Sequence, residues 1–314
     1  MKPTMKRAAS FFLVGALLLG VLLISGCTDR ISDGDKEYTD PTGHVVKLKG
    51  DPERVVTLTP SLTETVVALG AGGLLVGADS VSVSENPDLD LETVSTWEGL
   101  DTEKIVSLSP DIVIMDRTLD ITDASFNALD GLSIPVYRIF PKTFDEVLSA
   151  ITGVGEVLGR EKEAGFIVDD MGTRRDTITE ETSRIEWSNR SSVLYVTYYD
   201  GTSDPWVGTS STFSGSLIEL AGGKDAVSDD SGVVVQISVE TVIDADPDVI
   251  ICSQSESWPT HTRETILSDP LWEDITAVRE GRVFDVNGDL IDRTGPRLIE
   301  GLETIHLILF PEEV

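Results

Sequence analysis

A motif that recurs within the chain limits the folds open to it more than any other feature. "DTEKIVSLSPDIVI", residues 101–114, returns in altered form as "SVETVIDADPDVII", residues 238–251. Glu103 stands seven residues before Pro110 and Glu240 seven before Pro247, so the two glutamates lie 137 positions apart (240 − 103). Three further pairs keep the same order along the chain: "RVVTLTP" with "SVLYVTYY", "LTETVVALGAGG" with "FSGSLIELAGG", and "GLSIPVYRI" with "VREGRVFDV". Two similar units in one chain account for the shared order and the fixed Glu-to-Pro interval.

Each unit is written in α/β grammar. "RVVTLTP" is a short β-branched run that ends at a turn. "SLTETVVALGAGG" predicts a helix with Ser61 as N-cap, Glu64 at capping-box spacing and glycines to close it. "LLVGADS" and "DIVIMD" read as buried strands, and "DASFNALDGLS" before "IPVYRIF" as helix then strand. Helices alternating with short, continuous apolar strands imply a mostly parallel sheet covered on both faces. Residues 142–187, between the units, carry helical pattern only, with a weak point at Gly159. The second helix there predicts a length of about 25 residues, or roughly 37 Å. A final helix is entered through Gly295-Pro296, proline being favoured in a first turn. The expected organisation is therefore α/β: a lobe over 51–141, a helical connector over 142–187, and a second lobe over 188–314.

The beginning of the chain carries a separate instruction. "MKPTMKR" is basic, "AASFFLVGALLLGVLLIS" is apolar, and a glycine and Cys27 follow. This pattern predicts an export signal over 1–27. Its end, Ile24-Ser25-Gly26-Cys27, resembles a lipobox, after which Cys27 would carry lipid and anchor the protein to the outer face of the cell membrane or in the periplasm. Residues 28–50 are polar and read as a flexible tether followed by an entry strand, "GHVVKLKG". With Cys27 modified, Cys252 has no thiol partner, so neither a disulfide nor a cysteine-held metal centre is expected, and its apolar surroundings suit a buried filler.

Charge excludes other classes. Fifty-five acidic residues against 24 basic ones leave a formal charge of −31, a field that repels nucleic acid and anionic lipid. The acids are spread along the chain as a solvated surface. Enzyme signatures are largely missing too. "GAGG" lacks a following Lys-Ser or Lys-Thr, and "GTSST" lacks the closing glycine of a nucleophile elbow. His44, His261 and His306 are scattered, so no metal set is expected. What remains is a set of aromatic residues in connections after strands: Trp97, Tyr198, Tyr199, Trp206 and Trp258, with Trp272 assigned to packing. Open α/β sheets bind ligands beyond the carboxyl ends of their strands. Aromatic faces in a cleft between two such edges would grip a large, flat, partly apolar ligand.

Four stretches then carry a family likeness: "RVVTLTPSLTETVVALGAGGLLVGADS", "VSTWEGLDTEKIVSLSPDIVIMD", "DPDVII" and "GRVFDVNGDLIDRTGPRLIEGLE". Together they resemble the iron-complex and vitamin B12 substrate-binding proteins of ABC importers, over about residues 50–312. The resemblance implies two Rossmann-like lobes joined by a long rigid backbone helix, with the ligand in the cleft between them and little hinge motion. It implies no catalysis and no cofactor, a monomer, and an ABC permease and ATPase as partners. "VSTWEG" is most similar to the cobalamin-binding branch, which points to Trp97 and, in the second lobe, Trp206 as ring contacts. "GDLIDRTGPR" points to Asp289 and Arg293 as polar contacts. Val81 and Val234 stand where that branch tends to have aromatics, which keeps a ferric siderophore or haem as the alternative ligand. Glu103 and Glu240 match the acidic residues with which the family docks on permease arginines; by themselves they also suit the starts of two short helices. A metal-cluster oxidoreductase component would need thiolates that Cys252 alone does not supply, and a surface scaffold lipoprotein would leave the paired acids and cleft aromatics without a use.

Overall fold

A computed structural model describes residues 35–96, 98–116, 128–129, 131–255 and 260–311 of the protein. Asp35–Thr39 (β1) and Val45–Lys49 (β2) form an antiparallel hairpin. Asp40 closes it: Oδ1 accepts from the backbone N–H of Thr42 and His44, both at 2.9 Å, and from the Thr42 hydroxyl at 2.7 Å. The sequence reading placed residues 35–39 in a flexible tether, and the structure corrects this. β2 buries Val46 and Leu48, and its exposed edge needs a partner that "DKEYT" provides despite its charges.

The first lobe then runs through Val55–Thr57 (β3), Pro60–Ala68 (α1), Leu75–Asp79 (β4), Ser80–Glu85 (α2), Glu92–Thr96 (β5), Gly99–Leu100 (β6), Thr102–Leu108 (α3), Ile112–Asp116 (β7) and Val136–Ile139 (β8). Its sheet has the order β6-β5-β4-β3-β7-β8 and is parallel except for β6. α1 is capped by Thr59, whose hydroxyl accepts from Leu62 N–H, with Pro60 in the first turn. The cap expected at Ser61 therefore sits two residues early, because Pro60 has no N–H to satisfy and starts the helix instead. Glu64 is freed for another use, described below.

Two helices follow: Phe144–Val157 (α4) and Glu161–Thr182 (α5). They are separated at Gly159, whose φ of 62° is one glycine tolerates best. At 22 residues α5 is about 33 Å long. Its buried residues Ala164, Met171, Ile178 and Thr182 form one stripe, and most of its remaining surface is polar or charged, with Phe166 exposed among it. A Cβ at Gly155 would lie 2.5 Å from the Ala164 Cβ, so the close crossing of α4 and α5 requires glycine there.

The second lobe comprises Ser192–Tyr198 (β9), Trp206–Gly208 (β10), Phe213–Leu220 (α6), Lys224–Asp225 (β11), Val235–Gln236 (β12), Val239–Ala245 (α7), Val249–Gln254 (β13), Thr262–Ser268 (α8), Thr276–Arg279 (α9), Val283–Asn287 (β14), Asp289–Asp292 (α10) and Leu298–Leu309 (α11). β9, β13 and β14 are parallel neighbours, β11 is parallel to β9, and β10 and β12 add an antiparallel edge. Pro296 lies just outside α11 rather than in its first turn, since Arg297 is the N-cap residue.

The repeat seen in the sequence is a repeat in space. α3 and α7 are both seven residues long, and each ends at a non-glycine residue in the left-handed region: Ser109 (φ 48°) and Asp246 (φ 38°). Asp111 Oδ2 accepts from the N–H of Glu53 and Arg54 at the entry to β3, while Asp248 Oδ2 accepts from Ser192 N–H at the entry to β9. Each aspartate thus staples its strand to the first strand of its lobe, its parallel neighbour in the sheet.

Alternation within the strands distributes side chains among three cores. Val55, Ile112 and Ile114 turn inward to the same core as Val193, Tyr195, Val249 and Ile251 of the other sheet. That shared core continues through α4, α5 and α11. The outer faces bury separately: Val56, Val113 and Met115 under one set of helices, and Leu194, Val196, Ile250 and Cys252 under the other. Opening the lobes widely would expose the shared core at about 25 cal/mol per Å². Arg174 adds a polar clamp, forking onto Glu303 of α11 at 2.8 and 2.6 Å.

Candidate ligand cleft and docking helices

The stretch after β14 crosses from one lobe to the other. Gly288 opens it, and a Cβ there would fall 1.9 Å from Ser253 Oγ. Arg293 donates two hydrogen bonds to Glu85 at 2.8 and 2.7 Å and lies 3.1 Å from Asp289. Burial works against its charge, but Glu85 and Asp289 outweigh that, and its pKa is held above the usual guanidinium value. Thr294 donates to Asp116 at 2.8 Å, and both are buried. Arg297 forks onto Glu64. Asp116 ends β7 at the carboxyl edge of the first sheet, and Glu85 ends α2, the short helix that leaves the carboxyl end of β4. The carboxyl edges of the two sheets therefore face each other across residues 288–297.

Asp292 sits beneath this crossing. It accepts from the buried Tyr195 hydroxyl at 2.8 Å and from Ser253 Oγ at 3.3 Å, while the residue keeps an exposed surface. Desolvation of the carboxylate, countered by these two hydrogen bonds and reinforced by Asp289, pushes its pKa up to about 6.

The residues named from the sequence fall into four groups. Tyr198 and Trp206 are directly opposite each other on β9 and β10, and 36% and 42% exposed. A directly opposed cross-strand pair shares one face of the sheet, so they offer neighbouring aromatic surfaces at its carboxyl end. Asp289 and Arg293 are brought together at the lobe crossing, where Asp289 also accepts from Ser255 at 3.2 Å. Trp97, Trp258 and Cys27 lie outside the described residues. Tyr199, read as a cleft aromatic, turns the other way: it is 3% exposed, packs 5.2 Å from the Trp272 ring and donates to Asp269. Adjacent strand residues point to opposite faces, so exposing Tyr198 commits Tyr199 to the core. Trp272 is fully buried, and Cys252 is buried with its thiol pKa raised by desolvation.

Phe140 was missed. It follows β8 at the carboxyl edge of the first sheet, is 41% exposed, and has Lys142 Nζ 4.8 Å from its ring centroid. The signal was present as an aromatic between a strand and a proline in "RIFPK". Among the described residues, no group of three or more His, Cys, Asp or Glu side chains could hold a metal ion.

Glu103 lies in the first turn of α3 and Glu240 in the first turn of α7. Both are exposed, and neither carboxylate has a hydrogen-bond or ion-pair partner among the described residues. Neighbouring Lys104 is engaged instead with Glu92 at 2.6 Å.

Two α/β lobes held edge to edge around a helical strut, with charged groups where the edges meet and exposed aromatics at the carboxyl end of the second sheet, make this a two-lobed solute-binding protein. The chain belongs to the family described as "Periplasmic binding protein", whose pattern matches residues 55–290. It is a substrate-binding protein of the ABC-importer type and not an enzyme. Proteins of this kind are extracytoplasmic or periplasmic, bind small ligands, and work with a permease and an ATPase. It is 28% identical to an uncharacterized ABC transporter substrate-binding lipoprotein, YvrC, of Bacillus subtilis, over 98% of this chain and 99% of that protein. It is 26% identical to a cobalamin-binding protein of Halobacterium salinarum, over 87% of this chain and 73% of that one. Among solved structures it resembles the molybdate-binding protein MolA of Haemophilus influenzae, with a TM-score of 0.77, 19% identity and coverage of 88% and 92%. That last likeness concerns the fold and leaves the ligand open.

Proposed function

We propose that the protein is a monomeric lipoprotein, anchored outside the cytoplasm through Cys27, that captures a corrinoid between its lobes and delivers it to an ABC importer. The observation that carries the ligand reading is the exposed Tyr198–Trp206 pair at the carboxyl edge of the second sheet. Exposed aromatic side chains at opposed positions on two strands offer apolar surface of the kind a macrocycle stacks on. Trp97 and Trp258, which lie outside the described residues, are further ligand contacts in this reading. The 26% identity to a cobalamin-binding protein over most of the chain supports the same ligand class. Asp289 and Arg293 border the site and fix its floor. The protein needs no cofactor of its own. Glu103 and Glu240 dock on basic residues of the permease, their unpartnered carboxylates being suited to that task. Exposed ion pairs contribute only about 0–1 kcal/mol each, so these set register and approach rate more than affinity.

The test is native mass spectrometry of full-length protein from its own source, followed by tryptophan-fluorescence titration with cyanocobalamin, haemin and a ferric hydroxamate. A retained corrinoid mass and quenching by cyanocobalamin at micromolar concentration are expected. Quenching by haemin or the ferric chelate alone would replace the corrinoid with that ligand.

A further inference from the structure

Docking helices α3 and α7 share more than their glutamates. Ile105 and Val242, 137 positions apart, are both completely buried in the outer cores and fix the rotation of their helices. Asp101 caps α3 by accepting from Lys104 N–H, and Ser238 caps α7 by accepting from Thr241 N–H. Length, caps, left-handed stop and inward residue all coincide, so outward residues at matching positions present themselves alike. Three residues after each glutamate stands a β-branched aliphatic side chain, Val106 in one lobe and Ile243 in the other. They are 45% and 42% exposed. Residues three apart are neighbours on a helix surface. Each lobe therefore displays the same unit, a free carboxylate beside an aliphatic knob.

We propose that Val106 and Ile243 are docking residues, each inserting into an apolar socket beside a basic side chain on one subunit of a two-fold symmetric permease. This rests on the reading of Glu103 and Glu240 as docking groups and adds to it the contact that supplies affinity. A solvated carboxylate gives little net energy at an interface, whereas burying an aliphatic side chain there contributes roughly tenfold in affinity per site. The partner's chemistry follows from the surface: basic to meet a chain of charge −31, apolar next to the base, and present twice. A partner without internal two-fold symmetry would have no use for the same unit on both lobes.

The test places a photoreactive benzoylphenylalanine at Ser107 or at Asp244, both exposed and next to the knobs, in full-length protein expressed in its own cells. Both positions should give adducts with the same permease polypeptide. In that background, Val106→Ser with Ile243→Ser should lower adduct yield at least tenfold at low and high salt alike, with the thermal midpoint unchanged. Glu103→Ala with Glu240→Ala should lower it at low salt, with the difference shrinking as salt screens the charges. Wild-type yield in the serine variant, with loss in the alanine variant, refutes the aliphatic contact and leaves the glutamate docking intact. Adducts from the two positions with different polypeptides refute the symmetric partner. No permease adduct from either position refutes both.

Discussion

Arg293 and Glu85 join the two lobes through a two-pronged ion pair, with N–O distances of 2.8 and 2.7 Å. The family resemblance makes Arg293 a ligand contact; its side chain is 12% exposed and its guanidinium is shared between Glu85 and Asp289. In this arrangement it works on the spacing of the lobes. A double-mutant cycle on Arg293→Ala and Glu85→Ala, followed by urea unfolding, should return a coupling of about 1–2 kcal/mol. A coupling near zero would mean that the pair forms without helping to hold the lobes.

Tyr198 and Trp206 reach solvent from the same face, so removing one ring should cost affinity without costing stability. Trp206→Ala should weaken ligand binding about tenfold and leave the thermal midpoint within a degree or two. Tyr199→Ala should do the reverse, because that ring packs on Trp272 in the core. Equal effects of the two substitutions on binding would remove the distinction drawn between neighbouring tyrosines.

That distinction shows where sequence reading reached its limit. Strand and helix identities came from local periodicity, and the two-lobed plan from an interval kept constant between Glu103–Pro110 and Glu240–Pro247. Both signals lie within short windows. "VTYYDG" offers two tyrosines with no local mark of which one faces the core, since strand register is decided by the neighbours it pairs with. The crossing at residues 288–297 was equally hidden. Glu85 lies 208 residues from Arg293, and nothing near either one announces the other. "GHVVKLKG" was read as a strand and is β2, but its partner β1 was missed because a charged segment became a strand through pairing rather than propensity.

Asp225 gives a pH signature. Its carboxylate lies against the first turn of α6, where a Cβ at Gly215 would approach Oδ2 to 2.8 Å, and this buried oxygen has no hydrogen-bond partner. Desolvation, with Glu219 nearby, pushes its pKa up to about 7 from 3.8. A folded-state pKa above the unfolded one means that folding takes up a proton between those values. Stability from this group is thus complete below 3.8 and falls as pH rises towards about 7. Asp225→Asn removes the titration, so its urea midpoint should exceed that of the wild type increasingly from pH 4 to pH 8. Repulsion among the other acids acts on both proteins and cancels in the difference. A constant difference across that range would rule out the buried, raised carboxylate.

The two copies of the repeat also predict different outcomes for one substitution. Ser109 and Asp246 both stop their helices in the left-handed region, where a side chain costs roughly 1 kcal/mol and glycine is favoured. Ser109 makes only a backbone bond there, its N–H donating to Val106 O, so Ser109→Gly should leave stability unchanged or raise it by up to about 0.5 kcal/mol after the entropy of the freer unfolded chain is charged against it. Asp246 does more: its carboxylate accepts from the Thr276 N–H at 2.7 Å and hydroxyl at 2.9 Å, holding the start of α9 against the end of α7. Those two bonds lower its pKa below 3.8. Asp246→Gly should therefore destabilise, most clearly at neutral pH. A lowered folded-state pKa means that the contribution is present above 3.8 and fades as pH falls through the folded value, so the gap between Asp246→Gly and wild type should narrow in acid. Parallel behaviour of the two glycine variants in urea melts at pH 7 would show that the Thr276 contacts contribute nothing.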